Sequence, residues 1–477
     1  MPGLLPERSM PEWLSKLLPI LILLVVVGVV LSLLPKVDLG HSDAFKRRRV
    51  MNWLPLGLTY AFLYFGRYNL SAIAGELDKS GILAKAQFNE IDGVGAWVYG
   101  IAFLINGPLT DKIGGRITMI IGAAGSMVMN VGMALAMQAA LASEAGPERT
   151  AELQQALLYL NAANMYFQSF GAVSIVKVNA PWFHVRERGV LGGLFGVLIS
   201  LGLYFSYDWS LALGKSLGWT WSFSIPAVVL GLCVAATALL VRNSPSDAGL
   251  GDFDTGDATS GQTEHVPMAT VLRKMFSNHI IWIIIAVEFC SGFLRQAVMK
   301  QYRLYAKGIG DGDSFVYENW GMLLCIAGIL GGVFAGFISD HVFGSRRGPV
   351  SSVLYGGLLL GAVGAFLTIG TPALGWCVVF MSLCVIGVHG MLSGTASMDF
   401  GGSKNAGLTT GIIDGFVYLG TGTQAFLYGA LLPTGDAAKD PANWKVWPGA
   451  MLPVALVGFV LCTRIWNARP KPNASAH

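Results

Sequence analysis

Charged residues are scarce in this chain of 477 residues. Asp, Glu, Lys and Arg make up 13% of the sequence, whereas hydrophobic residues make up 53%. Soluble domains usually carry about 25% charged residues, so the composition excludes a soluble globule, a nucleic-acid binder and a disordered chain. The 61 glycines are typical of membrane helices, which use small residues to pack closely.

Motifs for metal binding and catalysis are also missing. The six cysteines show no CxxC spacing and lie within or beside apolar stretches, which argues against a structural disulfide or a zinc site. The sequence contains no glycine-rich nucleotide loop, metal-ligand cluster or nucleophile elbow. It therefore predicts neither an enzyme nor a bound cofactor.

Long apolar segments dominate the sequence. About 20 apolar residues cross a bilayer, and such segments must be helical because isolated strands leave backbone groups unpaired in lipid. We expect one extra helix followed by twelve, at about residues 17–35, 51–74, 92–109, 117–141, 154–178, 189–208, 222–242, 279–303, 319–339, 349–369, 374–395, 406–431 and 447–467. The first span is either a cleaved signal peptide or an anchor. Its length and the lack of an A-x-A site after it favour an uncleaved anchor.

A polar, Asp-rich stretch divides the twelve core helices into six and six. We expect residues 1–50 to form an anchor helix and basic segment, 51–242 an N-terminal six-helix bundle, 243–278 a cytoplasmic linker, and 279–477 a C-terminal bundle with a short cytoplasmic tail. The basic run at residues 46–49 lies on the cytoplasmic side by the positive-inside rule. This predicts a multi-pass membrane protein with its N-terminus outside and its C-terminus in the cytoplasm. We also expect it to function as a monomer in a bacterial inner membrane.

The two halves of the sequence repeat a loop motif. Gly107 to Arg116 and Gly336 to Arg347 both show G-x-x-x-D followed by basic residues, with Asp111 and Asp340 229 positions apart. Either copy alone could be an ordinary basic turn. Two copies in register indicate a parallel repeat, whose halves hold the substrate site between them.

This loop resembles the one that the major facilitator superfamily carries between its second and third helices. The resemblance implies an all-α membrane fold with two pseudo-symmetric six-helix bundles, here with one extra N-terminal helix. It also implies a gating role at the cytoplasmic side for four residues, Asp111, Arg116, Asp340 and Arg346.

Two arginines lie inside predicted spans at matching places in the halves. Arg67 and Arg295 are 228 positions apart. An arginine in the hydrocarbon region usually faces a protein interior or an aqueous path, although either side chain could instead extend to the membrane surface. Two guanidinium groups suit a phosphate dianion, because their planar donor forks match its oxygens and stay charged.

Several further motifs resemble the organophosphate:phosphate antiporter family, over about residues 50–470. They include Tyr60 to Asn69, the spacing from Tyr99 to Asp111, residues 182–189, residues 243–249, residues 327–348 and residues 406–420. The resemblance implies that an organic phosphate or inorganic phosphate binds Arg67 and Arg295. It also implies a cavity lined by Tyr60, Tyr64, Tyr418 and Gln168, although each tyrosine could simply pack between helices.

The sequence departs from this family at cavity positions. Ile199 stands where the family has a histidine, and Phe103 and Tyr68 stand where lysines are common. Gly292 replaces a tyrosine, and Lys300 stands where an Asp is frequent. These departures leave glycerol-3-phosphate, a sugar phosphate and other organic phosphates open as substrates.

Other polar residues within spans have open roles. Glu288 lies two helical turns before Arg295 and, like Asp414, is a candidate for proton coupling or charge balance. Lys300 is either a third substrate cation or a charge at the outer surface, and the isolated His389 favours a structural role.

Three functions fit these observations. The favoured hypothesis is a secondary transporter in the bilayer that exchanges an organic phosphate for inorganic phosphate by alternating access. A transport-poor membrane sensor of organophosphates and a proton-coupled carrier or exporter of another organic anion are the alternatives.

Overall fold

The computed structural model describes residues 21–22, 25, 28–29, 40–184, 188–255, 273, 276–277, 279–338, 342–343, 347–394 and 406–467. Within these ranges twelve long helical segments follow one another, and no strand occurs. They are α1 (Asp43–Lys79), α2 (Lys85–Ile113), α3 (Gly115–Ala142), α4 (Pro147–Gln168 and Phe170–Asn179), α5 (Arg188–Tyr204, the π-turn Phe205–Trp209 and Ser210–Leu217), α6 (Trp221–Leu240), α7 (His279–Met299 and Gln301–Gly308), α8 (Trp320–Phe337), α9 (Arg347–Leu367), α10 (Ala373–His389 and the π-turn Gly390–Gly394), α11 (Ala406–Leu431) and α12 (Val446–Arg464). Single turns connect them at Ala180–Trp182, Ser246–Ala248, Phe315–Glu318, Gly435–Lys439 and Pro441–Lys445.

Each of the twelve predicted core spans coincides with one of these helices. Eight helical segments among the described residues are long and apolar enough on their own to cross a membrane, as expected for a multi-pass membrane protein. Most of the first predicted span lies outside the described residues, and so do Asp340 and Arg346.

Local sequence signals set the helix boundaries. The Ser42 hydroxyl accepts a hydrogen bond from the Phe45 amide at 3.3 Å and caps the start of α1. Gly114, between α2 and α3, has φ +97°, a conformation that side-chain-bearing residues rarely adopt. The sharp turn between these helices therefore depends on Gly114, which lies within the first copy of the loop motif.

The first six helices meet the last six mainly through α2 against α11. Glycines allow this approach, because a Cβ atom on Gly100 would lie 2.7 Å from the Gly415 carbonyl oxygen. Close backbone contact of this kind is how membrane helices gain packing energy. Further contacts between the halves join α5 to α8, α4 to α11 and α1 to α7.

The bundle has two ends, which we name by their connections. The hairpin end carries the turns at residues 80–84 and 143–146, and the linker end carries residues 241–255. The arginines predicted to bind an anion lie on α1 and α7, between these ends.

Candidate functional site

Arg67 is a buried side chain of α1 that is held by neighbours from three other helices. Its Nε donates to Gln168 Oε1 and its Nη1 to the Tyr418 hydroxyl, both at 3.1 Å. The guanidinium carbon also lies 4.5 Å from the ring centroid of Tyr64 and 4.6 Å from that of Tyr99, within cation–π range. Nη2 is buried without a hydrogen-bond partner among the described residues.

Arg295 on α7 is also buried but has fewer contacts. Its guanidinium carbon lies 5.5 Å from the Tyr418 ring, and Asp414 is near enough to interact with it electrostatically. Its Nε and Nη2 are buried, and no described residue accepts a hydrogen bond from them. A buried charged donor without a partner is costly, so this side chain lies ready to bind an oxygen ligand.

Tyr418 on α11 joins the two arginines. Its hydroxyl accepts the bond from Arg67 while its ring faces Arg295, so the two guanidinium groups flank one tyrosine. Neither arginine reaches the membrane surface, since Arg67 is 4% and Arg295 7% exposed. The alternative that either side chain extends to the surface is therefore wrong.

Gln168 fixes Arg67 from α4. While its Oε1 accepts from Arg67, its Nε2 donates to the Leu63 carbonyl at 2.8 Å and to the Ser126 hydroxyl at 2.7 Å. All of its strong hydrogen-bonding groups are thus used, and the amide holds the guanidinium in one orientation.

The tyrosines predicted from the family resemblance belong to a larger aromatic wall. Tyr60 and Tyr64 pack edge to face at 5.5 Å, and Tyr64 continues to Tyr68 at 5.8 Å. Tyr99 contacts Tyr418 at 4.0 Å.

Sequence reasoning missed Tyr68 and Tyr99 as neighbours of Arg67. Gln296, which donates to the Tyr68 hydroxyl at 3.1 Å, was missed too. The signal for Tyr68 was its place beside Arg67 in the sequence, whereas Tyr99 and Gln296 lie on other helices.

Two departures from the family pattern have structural explanations. A Cβ atom on Gly292 would collide with the carbonyl oxygen of Val417, so no tyrosine fits where α7 and α11 touch. Phe103 packs on Tyr418 with ring centroids 5.8 Å apart, so an aromatic ring takes the place of a lysine beside the site. Ile199 is half-buried on α5.

Lys300 forms a buried ion pair with Asp92 of α2. It is 2% exposed, which overturns the alternative of a charge at the outer surface. Sequence reasoning also missed Asp92, because its partner is 208 residues away.

Glu288 pairs with His389 rather than with Arg295. The imidazole Nδ1 lies 3.2 Å from Glu288 Oε2, and the carboxyl group is fully buried, with Oε1 unpartnered among the described residues. Asp414 is near enough to His389 and Arg295 to interact with both electrostatically. His389 is thus part of a polar cluster, which the isolated position in the sequence did not indicate.

The predicted gating residues at the linker end have separate partners. Asp111 pairs with Lys177 at 2.9 Å and accepts from the Leu408 amide in the first turn of α11 at 3.3 Å. Arg116 instead binds the carbonyl oxygen of Ala238. Asp111 therefore joins the first half to a helix of the second, where the helix dipole favours a carboxylate.

Comparison with known proteins agrees with this architecture. The Major Facilitator Superfamily profile matches residues 56–425. A bacterial homologue of the human lysosomal transporter Spinster, solved in an inward-facing and occupied conformation, shares the fold with a TM-score of 0.62 at 14% identity, over 89% of this chain and 98% of that one.

Three curated relatives align over most of their length. A glycerol-3-phosphate transporter of Bacillus subtilis is 25% identical over 90% of this chain and 95% of its own. A probable hexose phosphate transport protein of Chlamydia trachomatis is 23% identical over 89% and 92%, and the membrane sensor protein UhpC of Salmonella typhimurium is 24% identical over 78% and 83%. The predicted resemblance is confirmed: the chain belongs to the Major Facilitator Superfamily, and its relatives are those of the organophosphate:phosphate antiporter family.

Proposed function

We propose that this protein exchanges an organic phosphate for inorganic phosphate by alternating access, with the phosphoryl group bound between Arg67 and Arg295. The observation that carries the proposal is the set of three buried guanidinium nitrogens without a partner among the described residues, two on Arg295 and one on Arg67. The names of the curated relatives support a phosphorylated substrate.

The proposed site balances charge and hydrogen bonds. Two guanidinium groups neutralise a dianion, and each charge-assisted hydrogen bond contributes about 1.5–3 kcal/mol net. Several such bonds are needed to offset the cost of removing water from a phosphate group. Without a ligand the site holds two like charges in a dry interior, which disfavours conversion of the empty carrier between its two states and favours obligate exchange.

Alternating access requires one end to be closed while the other opens. Polar contacts join the halves at the hairpin end, where Glu76 pairs with Lys307 at 2.9 Å, Lys300 pairs with Asp92, and Asn89 accepts from Gln301 at 3.0 Å. We assign the linker end to the cytoplasm from the positive-inside rule.

Phosphate exchange in proteoliposomes tests this function. Vesicles loaded with phosphate should take up radiolabelled phosphate and release it when glycerol-3-phosphate or glucose-6-phosphate is added outside. Arg67→Ala and Arg295→Ala should each abolish the exchange. Wild-type rates in both variants would overturn the site assignment, and wild-type vesicles without exchange would overturn the transport reaction.

A proton-coupled carrier is a second candidate, favoured by the buried pair Glu288 and His389. A carboxyl group and an imidazole in contact share a proton, so this pair could load one with each cycle. The candidate predicts uptake that requires a pH gradient without counter-phosphate and that is lost in Glu288→Gln. Exchange that is insensitive to the gradient excludes it.

A membrane sensor is the third candidate, favoured by the relative that is named as one. It predicts ligand binding without flux and co-purification with a signalling partner. Phosphate binding and exchange by the same purified sample would decide against it.

A further inference from the structure

A third arginine is buried in the bundle without a hydrogen-bond partner in the part of the chain that the structure describes. Arg303, on the second segment of α7, is 1% exposed, and none of its three guanidinium nitrogens finds an acceptor among the described residues. Buried polar groups in native proteins are almost always paired, so each exception requires an explanation. Arg303 lies eight residues beyond Arg295, or about 12 Å along a helix, on the hairpin side.

Its surroundings supply aromatic rings and a hydroxyl group rather than a free carboxylate. The guanidinium carbon lies 4.6 Å from the ring of Tyr317 and 5.9 Å from that of Tyr207. The Tyr207 hydroxyl is also buried and unpartnered among the described residues. Tyr207 lies in the π-turn Phe205–Trp209 of α5, a helix irregularity often found at functional sites.

The acidic neighbour of Arg303 is already engaged. Asp208 follows Tyr207 in the π-turn and is near enough to Arg303 to interact electrostatically. Its two carboxylate oxygens accept from the backbone amides of Gly321 and Met322, at 2.7 and 2.8 Å. Asp208 thus caps the start of α8 and forms no ion pair with the arginine.

The lysines on either side of Arg303 both have carboxylate partners. Lys300, three residues before it, pairs with Asp92, and Lys307, four residues after it, pairs with Glu76. Spacings of three and four place these cations on one face of the helix. Both lysines bind carboxylates of the first six helices, whereas the arginine between them binds none of the described carboxylates directly.

We propose that Arg303 and Tyr207 form a second oxyanion site, which binds the phosphoryl group on its way between the hairpin end and the central arginines. A guanidinium fork and a phenolic hydroxyl are donors that suit a tetrahedral oxyanion. The flanking ion pairs cross between the two halves, so the site becomes accessible when they separate. This inference rests on the proposed exchange function.

Initial exchange rates at low external anion concentration test the site from each side separately. We compare right-side-out with inverted membrane vesicles containing saturating internal phosphate, and obtain kcat/KM for phosphate. Arg303→Gln should lower kcat/KM about tenfold when phosphate arrives from the hairpin end, and less than twofold when it arrives from the linker end. Arg303→Lys should recover most of this loss. Tyr207→Phe should lower kcat/KM about twofold when phosphate arrives from the hairpin end.

The matched control is Arg149→Gln. Arg149 lies at the same end, where it is partly exposed and donates to the Gly81 carbonyl oxygen, so this variant removes the same charge away from the proposed site and should leave both values of kcat/KM unchanged. An equal fall from both sides in Arg303→Gln would indicate a structural role and overturn the proposal, as would an unchanged value from the hairpin end.

Two further measurements distinguish failure of the Arg303 site from failure of the proposed exchange function. Glycerol-3-phosphate as the varied anion should show the same one-sided loss, and a loss confined to one of the two anions would overturn a site that recognises their shared phosphoryl group. Equilibrium binding of phosphate to purified Arg303→Gln protein, which lacks the proposed second site, tests the central site alone. Its absence would overturn the exchange function itself.

Discussion

Arg67 and Arg295 occupy corresponding places in the two halves but have different surroundings. Arg67 makes two hydrogen bonds and lies near three tyrosine rings, whereas Arg295 faces one ring and keeps two nitrogens unpartnered among the described residues. One arginine is thus fixed before any ligand arrives, and the other retains most of its donors for the ligand. A sequence repeat can thus preserve the position of a charge while its two copies take different roles.

The largest expected effect comes from removing either charge. In our account Arg67→Gln and Arg295→Gln each remove about 3–6 kcal/mol of phosphate binding, equivalent to two charge-assisted hydrogen bonds. Only Arg67→Gln should also destabilise the fold, because it leaves Gln168 and Tyr418 without their partner. Isothermal titration with phosphate and thermal unfolding measure the two effects. Equal destabilisation by both variants would contradict the division of roles.

Lysine variants separate the charge of each arginine from its donor fork. Arg67→Lys and Arg295→Lys keep the charge but lose the donor fork, so phosphate should bind about tenfold more weakly in each. Because the Arg67 fork also bonds protein groups, Arg67→Lys should unfold at a lower temperature than Arg295→Lys. The opposite order would show that Arg295 is the more constrained side chain.

Gln168 tests whether Arg67 needs its amide partner. Gln168→Leu removes the acceptor for Arg67 Nε and should lower the free energy of unfolding by about 1–3 kcal/mol, with several-fold weaker phosphate binding. Gln424→Leu is the matched control, since Gln424 is equally buried and its amide atoms have no partner among the described residues. If Gln424→Leu lowered the free energy of unfolding as much as Gln168→Leu, the effect would come from packing and not from the hydrogen bond to Arg67.

The smallest effect is expected from removing only the hydroxyl of the tyrosine between the arginines. Tyr418→Phe removes the hydroxyl that accepts from Arg67 and keeps the ring beside Arg295, so binding should weaken by about 0.5–1.5 kcal/mol. Tyr418→Leu also removes the ring and should cost about 0.5–2 kcal/mol more. Identical affinities for the two variants would show that the ring contributes nothing at Arg295.

The fold and the paired arginines could be predicted because their signals are local or repeated. Apolar runs specified the helices, and the prediction of residues 406–431 agrees with α11. Arg67 and Arg295 were identified because a charge in an apolar run is unusual and the halves match.

The partners of these charges could not be predicted. Asp92 meets Lys300 and Glu288 meets His389 across more than a hundred positions, and those pairings depend on how the helices rotate against each other. Hydropathy does not encode that rotation. Whether a side chain fits at position 292 likewise depends on the distance between α7 and α11.

A structure of the purified protein with bound tungstate, an electron-dense phosphate analogue, is the most direct test that Arg67 and Arg295 bind one anion together. We expect strong density between α1 and α7, within hydrogen-bond distance of Arg67 Nη2 and of Arg295 Nε and Nη2. A saturated structure with no density at this place, or with density that contacts one arginine and leaves the other without a ligand, would contradict the paired-arginine site.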